Sequence, residues 1–125
     1  MTDHSALADR NTTLVHRYYR LVDAKDVGGL LALFSDDAVY ERPGYPVLHG
    51  REALRTFYTG QRVIEDGRHD LFTVITGDAQ VSARGEFHGQ LKDGRRVSVG
   101  FADFFTVGDA GLFTRRNTYF AMPAV

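Results

Sequence analysis

The sequence has 125 residues, 43% of them hydrophobic, a size that suits one domain with a continuous core and no need of metal or disulfide support. It contains no cysteine, so disulfide frameworks, thiolate nucleophiles, cysteine-ligated zinc and iron–sulfur clusters are excluded by composition. Basic and acidic residues are interspersed and the net charge is -1, which gives no field to steer polyanions or anionic membranes, so neither nucleic acid nor a membrane is an expected partner.

The opening Met1-Thr2-Asp3-His4 lacks a basic stretch followed by an apolar run, and no segment approaches the ~20 apolar residues that span a bilayer. A soluble, cytoplasmic protein is expected. From Leu7 to Val22, apolar residues at Leu7, Leu14, Val15, Tyr18, Leu21 and Val22 keep the three-and-four spacing of one buried helical stripe. Asp26 can cap a short second helix carrying Val27, Leu30, Leu31 and Phe34, which should stop at Ser35-Asp36-Asp37. Ala38 to Arg42 reads as a strand. Pro43-Gly44-Tyr45-Pro46 is a rigid loop, and His49-Gly50-Arg51-Glu52 leads into a third helix with Leu54, Phe57 and Tyr58 inward.

After Asp66-Gly67 the segments become β-branched and aromatic, punctuated by Gly77-Asp78, Asp93-Gly94 and Asp109-Ala110-Gly111. This predicts a meander of four strands. Helices followed by strands signal an α+β domain. Gly85, Gly89 and Gly100 within long strands suggest bends where a sheet curls over a helix and encloses a deep pocket. There is no repeat or low-complexity segment.

In order and spacing, Arg17-Tyr18-Tyr19-Arg20-Leu21-Val22-Asp23, Leu33-Phe34-Ser35-Asp36-Asp37-Ala38-Val39, His49-Gly50-Arg51-Glu52 with Phe57-Tyr58, and Asp103 followed by Gly111 run nearly the length of the chain. Together they resemble the ketosteroid isomerase branch of the nuclear transport factor 2-like superfamily, which includes the SnoaL-like polyketide cyclases. The resemblance implies a single SnoaL-like domain over 1–125 with a cystatin-like, cone-shaped antiparallel sheet packed on N-terminal helices around a pocket, and often a homodimer. It also implies site residues. Ketosteroid isomerases use a carboxylate base to move a proton next to a carbonyl, with a tyrosine and a protonated aspartic acid as oxyanion donors. Tyr18 falls on that tyrosine, Asp103 on that aspartate, and Tyr58 on a tyrosine that supports the first in part of the family. The base falls on Arg42, which stays protonated and cannot accept a proton. A standard steroid isomerase is therefore not expected.

Asp103 alternates with Val99, Phe101 and Phe105 on one largely apolar strand face, where a lone acid is costly. Either that face is exposed, or Asp103 satisfies a backbone group, or it is functional. Without a cationic partner, desolvation would keep it neutral; paired with Arg42 or Arg116 it would be a charged carboxylate able to act as a base. Arg116 shares a strand face with Leu112, Thr114, Thr118 and Phe120, while its neighbour Arg115 takes the other face. Arg42 reads either as a clamp on a substrate oxyanion or as a solvated strand end. Tyr18 needs a partner for its buried hydroxyl, and Tyr19 points elsewhere as packing.

The family's pairing across Asp93-Gly94 would turn Glu86, His88 and Gln90 inward and make His88 a candidate acid/base. Hydrophobic alternation instead turns Ala83, Gly85, Phe87 and Gly89 inward through a three-residue loop with a glycine bulge. The remaining histidines, His4, His16, His49 and His69, lack metal-ligand spacing and are expected in solvent.

No phosphate loop or serine elbow is present. The leading expectation is a cofactor-free enzyme for proton transfer on a carbonyl or polyketide-like substrate, by isomerisation, cyclisation or dehydration. Tyr18 and Asp103 would be catalytic, and Arg42, Tyr58, His88, Phe101, Arg116 and Phe120 would hold the substrate. Replacing Asp103 with Asn would then cost activity but little folding. Two other readings stand beside it: an epoxide hydrolase of the same superfamily, which needs a second inward acid such as Glu86, and a non-catalytic small-molecule-binding dimer.

Overall fold

The structure is a computed structural model describing residues 4–123; Met1, Thr2 and Asp3 of the opening segment and the last two residues of the expected 1–125 domain lie outside the described residues. In chain order come α1 (His4–Asp23), α2 (Val27–Leu31), β1 (Phe34–Glu41), β2 (Leu48–His49) and α3 (Gly50–Thr56), which runs on into one π-helical turn, Phe57–Gln61. The meander follows as β3 (Ile64–Thr76), β4 (Gln80–Leu91), β5 (Arg96–Val107) and β6 (Phe113–Phe120). Among the described residues no helix is long and apolar enough to cross a membrane.

The helices pack on a curved, unclosed six-stranded sheet with strand order β2-β1-β6-β5-β4-β3. Its pairs are antiparallel except β1 with β6, which is parallel. A parallel pair needs a long crossover, and here α3 and the four strands β2 to β5 supply it. Ser35, Asp36 and Asp37, expected to end α2, lie inside β1, where the register with β6 slips between Phe34 and Val39.

Curvature comes from β3 and β4. Two bulges interrupt β3, between Ile64 and Asp66 and between Leu71 and Thr73. Opposite them, a Cβ on Gly85 would lie 2.1 Å from the Asp70 carbonyl oxygen, and one on Gly89 2.4 Å from that of Asp66, so only glycine permits the approach. The sheet bends around α1, which buries Asn11, Val15, Tyr18, Tyr19 and Val22. Asn11 donates to the carbonyls of Gly77 and Asp78 at 3.0 and 2.9 Å and so ties the helix to the β3–β4 turn.

Two local details set which side chains enter the concave face. The Leu91 N–H donates to the Arg95 carbonyl at 2.8 Å and the Gly94 N–H to that of Leu91 at 2.9 Å, with Gly94 at φ 91°. This is the three-residue loop with a glycine bulge, and it turns Ala83, Gly85, Phe87 and Leu91 inward. On β6, Thr106 pairs with Arg115 while Val107 pairs with Phe113, so one extra residue lets both Phe113 and Arg116 face inward. The opposite, convex face exposes Phe72, Ile75, Phe104 and Tyr119.

Candidate active site

Asp103 and Thr118 are register partners on β5 and β6, and Arg116 stands opposite Phe105 one step away. All three inward residues are buried, Asp103 completely. Arg116 meets the carboxylate side-on, Nε to Oδ1 at 3.2 Å and Nη2 to Oδ2 at 2.9 Å. The Thr118 hydroxyl donates to Oδ1 and the Tyr19 hydroxyl to Oδ2. Each oxygen therefore accepts two hydrogen bonds, the full complement of a carboxylate.

Burial alone would raise the Asp103 pKa, but the Arg116 charge and the hydrogen bonds from Arg116, Thr118 and Tyr19 outweigh it and hold the carboxyl below its ordinary value. Asp103 is thus the charged, arginine-paired alternative of the two that the sequence left open. Tyr19, expected as packing, is one of its donors.

The third Arg116 nitrogen, Nη1, donates to the Tyr18 hydroxyl at 2.5 Å and the Tyr58 hydroxyl at 3.1 Å, and those two hydroxyls bond each other at 2.5 Å. Two O–H protons serve one O–H···O bond between them, so one proton remains to be donated elsewhere. Burial pushes both phenols above their ordinary pKa, with the Arg116 charge opposing it, so both are neutral donors at physiological pH. The guanidinium also lies over the Tyr18 and Tyr40 rings, 4.7 and 4.5 Å from their centroids.

The pocket has two parts. The buried part, lined by Tyr18, Tyr58, His69, Phe101, Asp103 and Arg116 among others, leaves about 10 Å³ between side chains, room for about one water molecule. The outer part is a groove of about 810 Å³ walled by residues 43–45, 60–63, 91–93, 95 and 120–123, and Arg62 and Phe120 line both. Arg42 is 8% exposed and also lines the inner part. Its guanidinium lies 5.0 to 5.9 Å from the ring centroids of Tyr40, Tyr45, Phe57 and Phe120 and donates to the Tyr40 hydroxyl at 3.2 Å.

His69, expected in solvent with His4, His16 and His49, is instead walled in: its side chain is 9% exposed. Its backbone N–H donates to Asp23 Oδ2 at 2.9 Å, and its Nδ1 lies 2.6 Å from Asp23 Oδ1. Tyr19, Phe87 and Phe101 surround the ring at 4.9 to 5.3 Å between centroids. The other three histidines are exposed.

Of the expected substrate contacts, the structure brings together Arg42, Tyr58, Phe101, Arg116 and Phe120 with Tyr18 and Asp103, and separates His88 from all of them. The glycine-bulge loop puts the even positions of β4 on the far side of the sheet. There His88 Nε2 meets Asp70 at 3.3 Å and Glu86 at 3.2 Å, and Nδ1 meets the Ser98 hydroxyl at 2.8 Å. The register that would have made His88 an acid/base is therefore corrected. His88→Ala should cost about 1 kcal/mol of stability in a urea melt, as for loss of a partly exposed hydrogen-bonded side chain. Among the described residues no group of three or more histidine, aspartate or glutamate side chains could hold a metal.

A model of the SnoaL-like domain matches residues 15–116, from the middle of α1 to the arginine that pairs with Asp103. The chain belongs to the SnoaL-like domain family. This SnoaL-like domain shares its fold with the epoxide hydrolase/cyclase-like enzyme SalBIII of pyran ring formation in polyether salinomycin, at 21% identity and a TM-score of 0.80 over 91% of this chain and 92% of that one. An LEH-like epoxide hydrolase of M. tuberculosis matches at 19% identity and a TM-score of 0.78, over 90% and 84% of the two chains. RV0760c of Mycobacterium tuberculosis, solved with estradiol-17beta-hemisuccinate, matches at 22% identity and a TM-score of 0.75, over 88% and 92%. At these identities the likeness is one of fold, and the SnoaL-like domain's own side chains must carry any functional argument.

Proposed function

We propose that this SnoaL-like domain is an enzyme that moves a proton next to a carbonyl group, in an isomerisation, cyclisation or dehydration of a small polyketide-like substrate, using side chains alone. The Tyr18–Tyr58 pair carries the reading, because one hydroxyl proton is left to donate and Arg116 backs both oxygens with a buried positive charge. Donors fixed in a dry site favour charge as it develops on a carbonyl oxygen. Asp103 is a positioning residue here: its acceptor sites are filled, and it keeps Arg116 charged and aimed. Phe101 and Phe120 wall the reacting end, Arg42 stands beside Phe120, and the outer groove takes the body of the substrate.

Epoxide hydrolysis through arginine-linked carboxylates draws less support. Glu86 lies on the far face with His88, and Asp103 is the one carboxylate lining the buried part among the described residues. The exposed Phe72, Ile75, Phe104 and Tyr119 support pairing of two copies through the convex face.

The test is proton exchange in D₂O. Cyclic β,γ-enones and aryl β-diketones are incubated with the protein and followed by proton NMR. Deuterium should enter at the carbon beside the carbonyl well above the buffer rate. Saturation-transfer binding of these ketones without exchange would establish a binding protein instead.

A further inference from the structure

The Tyr18–Tyr58 pair can donate to an oxyanion, but neither of its charged neighbours can take a proton: Arg42 stays protonated, and the Asp103 carboxylate is saturated. His69, on β3, lines the same buried space. Its Nδ1 is taken by Asp23 at 2.6 Å, and Nε2 sits on the opposite edge of the ring. An imidazole that donates from Nδ1 to a carboxylate keeps Nε2 as a proton acceptor, and the carboxylate steadies the imidazolium that forms.

Resting on the proton-transfer reading above, we propose that His69, oriented by Asp23, is the general base of this site. Nε2 takes the proton from the carbon beside the carbonyl; the C–H electron pair moves to give an enolate whose oxygen accepts a hydrogen bond from the Tyr18–Tyr58 pair. The same imidazolium returns the proton, to that carbon or to the far end of the conjugated system, and no electrons leave the substrate. Burial takes the imidazole below its ordinary pKa against the pull of Asp23, so it is in the accepting form at neutral pH.

The groups that bear on its titration are few. Tyr19 and Asp23 come from α1, Asp103 from β5 and Arg116 from β6, while β4 presents Phe87. His16, Arg20 and Asp70 stand with His69 along the outer cleft behind it.

The experiment uses the full chain and the exchange assay with the ketones above. His69→Gln should slow exchange by about 10² to 10⁴, the range for loss of a general base, and abolish the acid limb of the wild-type pH profile. Asp23→Asn, which removes a charge favouring the imidazolium, should move that limb to lower pH. Full exchange by His69→Gln, or an acid limb that survives in it, overturns the base and leaves the proton-transfer reading standing. Absence of exchange by the wild type overturns that reading, and the base with it. Independently of turnover, ¹⁵N NMR at pH 7 should show His69 neutral with its proton on Nδ1; an Nε2–H tautomer or an imidazolium overturns the assignment.

Discussion

Asp103→Asn should lose about 3–5 kcal/mol of folding stability, the cost of stranding one partner of a buried ion pair. Arg116 would keep its charge in a site it shares with the Tyr18, Tyr40 and Phe105 rings and the Tyr18 and Tyr58 hydroxyls, with no carboxylate to balance it. A small domain has only about 5–15 kcal/mol in all, so the variant should unfold at a much lower urea midpoint than the wild type. This replaces the expectation, drawn from sequence, that the substitution would affect activity and spare folding. Removing both charges tests the cause: Asp103→Leu combined with Arg116→Met should regain most of the loss, because packed apolar residues often match a buried pair, yet stay inactive for want of the charge behind Tyr18 and Tyr58. A single variant within about 1 kcal/mol of wild type would mean that the pair is solvated and contributes what surface pairs do.

The same pair sets a pH dependence. Asp103 has a lower pKa folded than unfolded, so its contribution is complete above the unfolded value of about 3.9 and is lost as pH falls through the lower, folded value. Urea midpoints taken on descent into acid should therefore fall for the wild type through that window. The doubly apolar variant should lack this part of the decline.

Tyr18→Phe should lower the exchange rate on the same ketones by about 10² to 10³, the usual effect of deleting one oxyanion donor. Its stability should fall by only about 1 kcal/mol, because Arg116 Nη1 keeps the Tyr58 hydroxyl as an acceptor. Since the two phenols share a hydrogen bond and a cation, Tyr58→Phe and the double variant should not combine additively. A Tyr18→Phe protein with wild-type rates would remove the tyrosine pair from the reaction.

The helices, the four-strand meander and the inward face of β4 were legible because each rests on a local rule: a helical stripe, turn residues, and a glycine-bulge loop that fixes register. The Asp103–Arg116 pair was legible as one of two alternatives, since alternation put both on concave faces but distance is not written in a sequence. Tyr19 was hidden by treating α1 as having one narrow stripe. A sheet bent by bulges and by Gly85 and Gly89 wraps further around the helix, so adjacent tyrosines are both covered. His69 was hidden for a related reason. Its strand opens Ile64-Glu65-Asp66-Gly67-Arg68 and is bulged twice, so no alternation marked which way the imidazole would turn. One signal was present: Asp23, at the end of the motif around Tyr18, had no assigned work.

The two parts of the pocket are built from different kinds of chain. The charged and phenolic inner set stands largely on long strands and on α1, whereas residues 43–45, 60–63 and 120–123 of the outer groove come mostly from connections and the chain end. Loops tolerate exchange and insertion that strands do not. The outer groove of such a protein can therefore be redrawn, and with it which molecule fits, while the buried set of charged and phenolic side chains beneath stays as it is.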